Sequence, residues 1–427
     1  MNKKNVIYAI SGLVLLIVVI VAFTFMYKAN LARKHDVNEP IEITWWHTLD
    51  SQYNDYISEI VDKFNQSNEN ITVKAEYMGS WSDINEALVA ANASGTGLPA
   101  VAVCNTKFIA AYGDNNLFED LTSYIDDTNY NISDFEKGIY SIATYGGKQI
   151  ALPFLHNTQV IYYNKTIAKQ YNLNIPKEFS EVDAFFKEVK EKTGMTPLSM
   201  QSLDFYYGTI YRNSEVNIIK GNKSDLNSTK SIEITTLARE WCKEGLISWL
   251  QGTDASSNMK QAFYDQKTFA VLHNSSALPT YIKNCNFEVG IAWYPGVNGV
   301  SHGDMGGGVI GIPSKNSQEV KNAAWMFIKY LCGEDINAEI CIKTGNIPTR
   351  KSALNSSVVK DYLNTYPEYK VLYDNLDNIY PPFIHRSASE IVKVWQNYMN
   401  KVMLEYADPT EMLNNATKEI NEILEES

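Results

Sequence analysis

The longest apolar run of the chain, residues 5–26 (NVIYAISGLVLLIVVIVAFTFM), carries no charge. As a helix it rises about 33 Å, enough to cross a hydrocarbon core of about 30 Å. Lys3 and Lys4 precede it, and Lys28, Arg33 and Lys34 follow. The run exceeds the roughly 7–15 apolar residues of a cleavable signal and ends in FTFMYK, without a small-x-small site. The pattern predicts an uncleaved anchor over 1–27, inserted with its N-terminus inside, and a polar linker over 28–40.

Past the linker the periodicity shortens. IEITWW reads as a buried strand, and SQYNDYISEIVDKFNQSN places Tyr53, Tyr56, Ile57, Ile60 and Phe64 at helical spacing. ITVKAEYM alternates as a strand, SDINEALVAANASGTG reads as a helix stopped by Gly95 and Gly97, and LPAVAVCN is a third strand. This strand–helix alternation predicts a parallel sheet with helices on its faces. From Lys148 the chain predicts two strands about a break at Pro153, then a helix. EFSEVDAFFKEVKEKTG and TTLAREWCKEG are amphipathic helices ended by Gly194 and Gly245. TFAVLHNSS, FEVGIAWYPG and GGGVIGIPS predict strands; EVKNAAWMFIKYL, SEIVKVWQNYMNKVML and PTEMLNNATKEINEILEE predict helices.

Charge sharpens this picture. The first 34 residues hold five basic and no acidic side chains, so the remainder is five units more negative than the whole chain's −12, or −17. So acidic a domain repels a phosphate backbone, which argues against nucleic acid as a partner. About 390 residues after the anchor exceed one ordinary core and predict two lobes. The five cysteines, an odd number with no CxxC, form no metal pattern, and none lies near the apolar run to carry a lipid. Cys104 reads as a buried strand residue; Cys332 and Cys341 could bridge only if helix geometry allowed.

No GxxxxGK[ST], HExxH, GxSxG or strand-linked GxGxxG occurs, and the six histidines show no ligand spacing. No cofactor and no metal is expected. A glycoside hydrolase would still need only two carboxylates about 5–9 Å apart, for which Asp204 and Asp254 are the candidates. Aromatic residues gather at strand ends and loops: Trp45, Trp46, Trp81, Tyr206, Tyr207, Trp293 and Tyr294. Such rings can stack on sugar C–H faces at the carboxyl ends of strands, or simply pack between helix and sheet. Trp46 is favoured as a contact because alternation buries only one tryptophan of the pair.

The ordered segments IEITWWHTLD, ITVKAEYMGSWSDINEAL, ASGTGLPAVAVCN, GKQIALPFLHNTQVIYYNKTI, FYDQKTFAVLHNSS, GGGVIGIPSKNSQEVKNAAWMFIKYL and GNIPTRKSAL resemble the family 1 extracellular solute-binding proteins. That family includes binding components for maltose, multiple sugars and glycerol 3-phosphate. The resemblance spans nearly all of residues 41–427. It implies a two-lobed α/β periplasmic-binding-protein-like fold, the class II Venus flytrap, preceded here by one transmembrane helix. Lobe 1 is expected over 41–154 plus 309–343 and lobe 2 over 155–308 plus 344–427. Crossings are expected near Pro153–His156, Gly306–Val309 and Lys343–Asn346.

Solute is expected between the lobes. The resemblance implies contacts from His47 after the first strand, Trp81, Asn105, Asn157 with Thr158 at the first crossing, Ser275, Ser276, Gly307, Asn346 and Arg386; Trp46, Asp204 and Tyr206 are added from the residues themselves. Asn105 stands where the glycerol-3-phosphate branch carries an acidic residue and Asn346 where it carries an aromatic one, while Arg386 would match a phosphate-holding arginine. The expected function is reversible capture of a carbohydrate and its delivery to ABC permease subunits outside the cell membrane. A polyol phosphate is the alternative solute; a membrane-anchored glycoside hydrolase or lectin-like surface protein is the alternative class.

Overall fold

The computed structural model describes residues 37–426 apart from 38, 136, 381, 382 and 384. The expected anchor and all but the end of its linker lie outside the described residues; no helix among those described is long and apolar enough to cross a membrane. Ten strands build two sheets. They are β1 (Ile41–His47), β2 (Ile71–Tyr77), β3 (Val101–Asn105), β4 (Leu152–Asn157), β5 (Gln159–Asn164), β6 (Thr196–Gln201), β7 (Ile247–Leu250), β8 (Thr268–Asn274), β9 (Val289–Ala292) and β10 (Gly306–Gly311).

The first sheet runs β2-β1-β3-β10-β4 and the second β7-β6-β8-β5-β9. In the first, β1 pairs parallel with β2 and β3, as the alternation of strands and helices predicts. The late strand β10 enters antiparallel between β3 and β4, so the sheet is mixed. In the second, β6 pairs parallel with β7 and β8, while β5 runs antiparallel to β8 and β9. Each sheet has its own core. Trp45, Val103, Phe154, Val309 and Trp325 fill the first; Tyr207, Trp241, Phe269, Trp395 and Leu413 fill the second. Val160, Tyr162, Val271 and Trp293 pack a further cluster on the second sheet, and separate cores for the two sheets make two lobes.

Chain breaks differ in detail from the expected ones. Pro153 lies inside β4 rather than between strands, which is tolerated because β4 is the sheet edge and its missing N–H breaks no ladder. The break falls at Thr158 instead, where β4 of one sheet passes into β5 of the other. Thr158 is fixed on both sides: its N–H donates to Ser275 Oγ at 3.2 Å and its hydroxyl to the Asp304 carbonyl at 3.1 Å. The chain returns to the first sheet after Asp304, just before β10. The segment after Lys343 stays against the first lobe beyond Asn346. Asn337 bridges it by donating to the Phe154 carbonyl and accepting the Thr349 N–H, at 3.0 and 2.9 Å. Arg350, buried, pairs with Asp134 at 3.0 Å. All five cysteines are free.

Candidate functional site

A cavity of about 420 Å³ opens between the lobes, within the size range of small-molecule sites. From the first lobe it takes the loop after β1, including Asp50 and Tyr53, the turn after β2 ending in Trp81, and Asn157 on β4. From the second it takes Asn274 and Ser276 after β8 and Lys260 on the helix Ala255–Tyr264. Asn346 closes it along the third passage. The loops follow the carboxyl ends of β1, β2 and β8, where open α/β sheets place ligands.

Local chemistry positions each group. Trp81 is the first residue of the helix Trp81–Ser94, which starts on a reciprocal cap. Ser80 Oγ accepts the Asp83 N–H at 3.3 Å, and Asp83 Oδ2 accepts the Ser80 N–H at 2.7 Å. Its indole lies over Gly308: a Cβ on that glycine would stand 2.4 Å from the ring. The middle glycine of the run, Gly307, has φ +112° and no room at all, because a Cβ would sit 2.1 Å from the Leu155 carbonyl oxygen. The GGG segment therefore serves close strand packing and the seating of an indole. Asn157 Nδ2 donates to Asn346 Oδ1 at 3.1 Å, and Asn346 Nδ2 donates to Thr344 Oγ1 at 2.9 Å. Ser276 Oγ donates to Asn274 Oδ1 at 2.8 Å. These bonds orient amides that face the cavity.

Of the residues singled out in the sequence, Trp81, Asn157, Ser276 and Asn346 line the cavity. His47, Tyr206 and Ser275 lie beneath it, all buried. His47 Nδ1 accepts the Leu49 N–H at 3.2 Å, which shapes the loop after β1. Burial lowers the His47 pKa to about 4, so its ring is neutral at pH 7. Ser275 clamps the first crossing, its N–H donating to the Thr158 carbonyl at 2.7 Å. The remainder stand elsewhere. Trp46 faces the opposite side of the sheet from Trp45 and His47, and its indole N–H donates to Glu76 Oε2 at 2.9 Å. Asn105 Oδ1 accepts the Lys107 N–H at 3.1 Å and starts a helical turn. Gly307 contributes packing. Arg386 is exposed before the helix Ala388–Leu404 and does not line the cavity.

Asp204 lines a separate cavity of about 330 Å³ with Phe205, Asp304, Arg212 and Trp395. Burial, partly offset by Lys107, raises its pKa, and Arg212 is paired with Asp304. Asp254 stands at the start of the helix Ala255–Tyr264, away from the lining of both cavities. The interlobe cavity thus holds one carboxylate among its described lining residues, Asp50, not the two that glycoside hydrolysis requires. Tyr207, Trp293 and Tyr294 are core residues. Tyr53, Tyr77, Lys260 and Asn274 line the cavity without having been picked out. Only the place of Asn274 and Tyr77, each the last residue of a strand, could have flagged two of them.

Two α/β lobes with a polar, aromatic-edged cavity between them define the periplasmic-binding-protein architecture, a protein that holds a solute rather than transforming it. The family model of the bacterial extracellular solute-binding proteins matches residues 59–367, and the chain belongs to that family. It is 22% identical over 357 residues to the sn-glycerol-3-phosphate-binding periplasmic protein UgpB of Yersinia pseudotuberculosis, covering 78% of each chain. Among solved structures, UgpB of Mycobacterium tuberculosis in complex with glycerophosphocholine superposes with a TM-score of 0.82 at 20% identity, covering 91% of this chain and 99% of that one. The GacH receptor of Streptomyces glaucescens, solved unliganded and with acarbose, gives 0.81 at 16% identity, covering 91% and 99%.

Proposed function

We propose that this chain is the capture component of an ABC importer, closing its two lobes over a carbohydrate and presenting it to the permease. The observation that carries the choice of solute is the lining of the interlobe cavity. Trp81, Tyr53 and Tyr77 offer ring faces and edges, Asn157, Asn274 and Asn346 offer amides, and Lys260 is the sole basic side chain among the described lining residues. Flat aromatic surface with neutral donors and acceptors suits a polyhydroxylated neutral ring better than a dianion. The lobes in this reading are 41–154 plus 309–343 and 155–308 plus 344–427, save that the stretch from Ile347 through Arg350 packs on the first lobe, and they pivot near Thr158, Asp304 and the passage after Lys343. Residues 5–26 tether the chain to the cell membrane with the lobes outside. Closure follows from solute binding the closed state better than the open one.

A polyol phosphate is the second reading, favoured by Lys260 and by the UgpB relatives. Thermal-shift screening against neutral sugars, sn-glycerol 3-phosphate and glycerophosphodiesters decides between them, since any solute that binds only the folded state raises the melting temperature. A shift with neutral oligosaccharides supports capture of carbohydrate. A shift confined to the phosphorylated polyols transfers the assignment to the second reading, and Lys260→Ala should then weaken binding strongly. No shift with either class overturns both.

A further inference from the structure

Two charged side chains outside the lining of the solute cavity belong to opposite lobes. The first is Lys107, in the helical turn Thr106–Phe108 that follows β3. That turn comes within 8 Å, Cα to Cα, of the helix Ala388–Leu404, whose Ile391, Trp395 and Met399 belong to the core of the second lobe. Lys107 is exposed and makes no ion pair with a described residue. Its ammonium rests over the Phe108 ring, 5.0 Å from the centroid.

The second is Asp204, which opens the helix Asp204–Asn213 and shares its cavity wall with Trp395 of that same neighbouring helix. The second lobe leaves this carboxylate without a cation of its own. Arg212, the sole basic side chain among the described residues lining that cavity, is committed to Asp304. Asp304 adds a like charge beside Asp204, and the base whose charge offsets it is Lys107 of the other lobe. A carboxylate partly withdrawn from water without a partner is costly, and a cation that reaches it removes much of that cost.

We propose that Lys107 is a positioning residue for closure: swinging from the Phe108 ring to the Asp204 carboxylate, it draws the lobes together and holds a share of the chain closed before solute arrives. A lysine suits this task, because its ammonium rides a flexible four-carbon stem and follows a gap that narrows as the lobes turn. Neither charge has a competing ion partner in its own lobe among the described residues, so the pair forms only by closure. Solute then meets a chain biased toward its closed form, and each fold by which that population rises tightens the apparent affinity by the same fold. The latch rests on the two-lobe closure proposed above, but not on which solute is captured.

The separation of the lobes in the full chain, in nonionic detergent micelles and without solute, tests it. Spin labels are carried on p-acetylphenylalanine in place of Glu86 and of Asn258, exposed positions on the helices Trp81–Ser94 and Ala255–Tyr264 of opposite lobes. This chemistry spares the five cysteines. Pulsed electron double resonance then reads the distance distribution. Lys107→Gln should cut the shorter-distance population at least twofold, and added salt should do the same to the parent by screening the pair. In an Asp204→Asn background Lys107→Gln should have no further effect. Lys63, exposed on the first lobe and outside both cavity linings, is the control, and Lys63→Gln should leave the distribution as it is. An unchanged distribution in Lys107→Gln, an equal shift in Lys63→Gln, or an undiminished effect of Lys107→Gln on top of Asp204→Asn overturns the latch. Should Asp204→Asn not fold, the first two comparisons still decide. Latch and capture fail separately, because these distances are read without solute and the capture reading falls by the thermal-shift screen.

Discussion

Gly307 offers the sharpest test of how the lobes are joined. In Gly307→Ala the new methyl group must occupy backbone at φ +112° and stand 2.1 Å from the Leu155 carbonyl oxygen and 2.8 Å from its carbon. Both obstacles are main chain, so no rotamer relieves them. Restoring ordinary contact requires β10 and β4 to part by about 1 Å. Holding an alanine in this region costs about 1–3 kcal/mol, and forcing apart a packed ladder about 1–3 kcal/mol more. A total of about 2–6 kcal/mol, over an unfolding entropy of about 0.8 kcal/mol/K for about 390 residues, lowers the melting temperature by about 2.5–7.5 °C. Gly138 is the control, since a Cβ there meets nothing within 4 Å. Gly138→Ala should raise the melting temperature by about 1 °C or less, through the unfolded chain. Calorimetric melts of both variants against the parent give the comparison. If Gly307→Ala melts within a degree of Gly138→Ala, the close approach of β10 to β4 is wrong.

Trp81→Ala should weaken solute binding by about 1–3 kcal/mol in calorimetric titration with whichever compound the screen identifies; unchanged affinity removes Trp81 from the site. Gly308→Ala, whose obstacle is the Trp81 ring at 2.4 Å, should weaken binding in the parent and have no further effect in the Trp81→Ala background, a non-additivity that a double-mutant cycle reads directly. His47, His156 and His273 have pKa values lowered by burial from 6.5 to about 4, 4 and 3. The unfolded chain therefore binds more protons than the folded one below pH 6.5, and their neutral burial loses stability as pH falls from there to about 4, about 3 kcal/mol for each ring. Urea midpoints at neutral and acid pH should lie closer together in His156→Gln than in the parent; an identical gap refutes the assignment. Arg350, with Tyr130 and Phe135 ring centroids at 4.9 and 4.4 Å and Asp134 at 3.0 Å, anchors the third passage. Arg350→Ala should cost about 3–5 kcal/mol in denaturant titration by stranding Asp134, and Arg350→Lys should recover little because an ammonium cannot stack or fork.

Several elements were legible in the sequence because their signals are local. Alternation in ITVKAEYM and Gly95 and Gly194 at helix ends with φ +72° and +70° act within a few residues. Less legible were Thr196–Gln201, Ile247–Leu250 and the helix Asp204–Asn213, none of which was singled out. The two strands flank and occupy the interior of the second sheet, where both faces are covered, so TPLSMQ carries no alternation. The helix DFYYGTIYRN buries most of its residues and so shows little amphipathic contrast.

The candidate site divides in the same way. Alternation alone puts Trp45 and His47 on one face of β1 and Trp46 on the other, and Leu155 and Asn157 opposite His156 on β4. Residue pattern and order along the chain also carry the two-lobed architecture and the family. Which face meets the second lobe is absent from any local pattern. It depends on β10 returning from far along the chain to lie between β3 and β4, and on the passage after Lys343 bringing Asn346 to Asn157, 189 residues away. Contacts at that range are set by how two cores settle against each other. Trp81, Asn157, Ser276 and Asn346 therefore reach the cavity while Trp46, Asn105 and Arg386, equally plausible by residue type, do not.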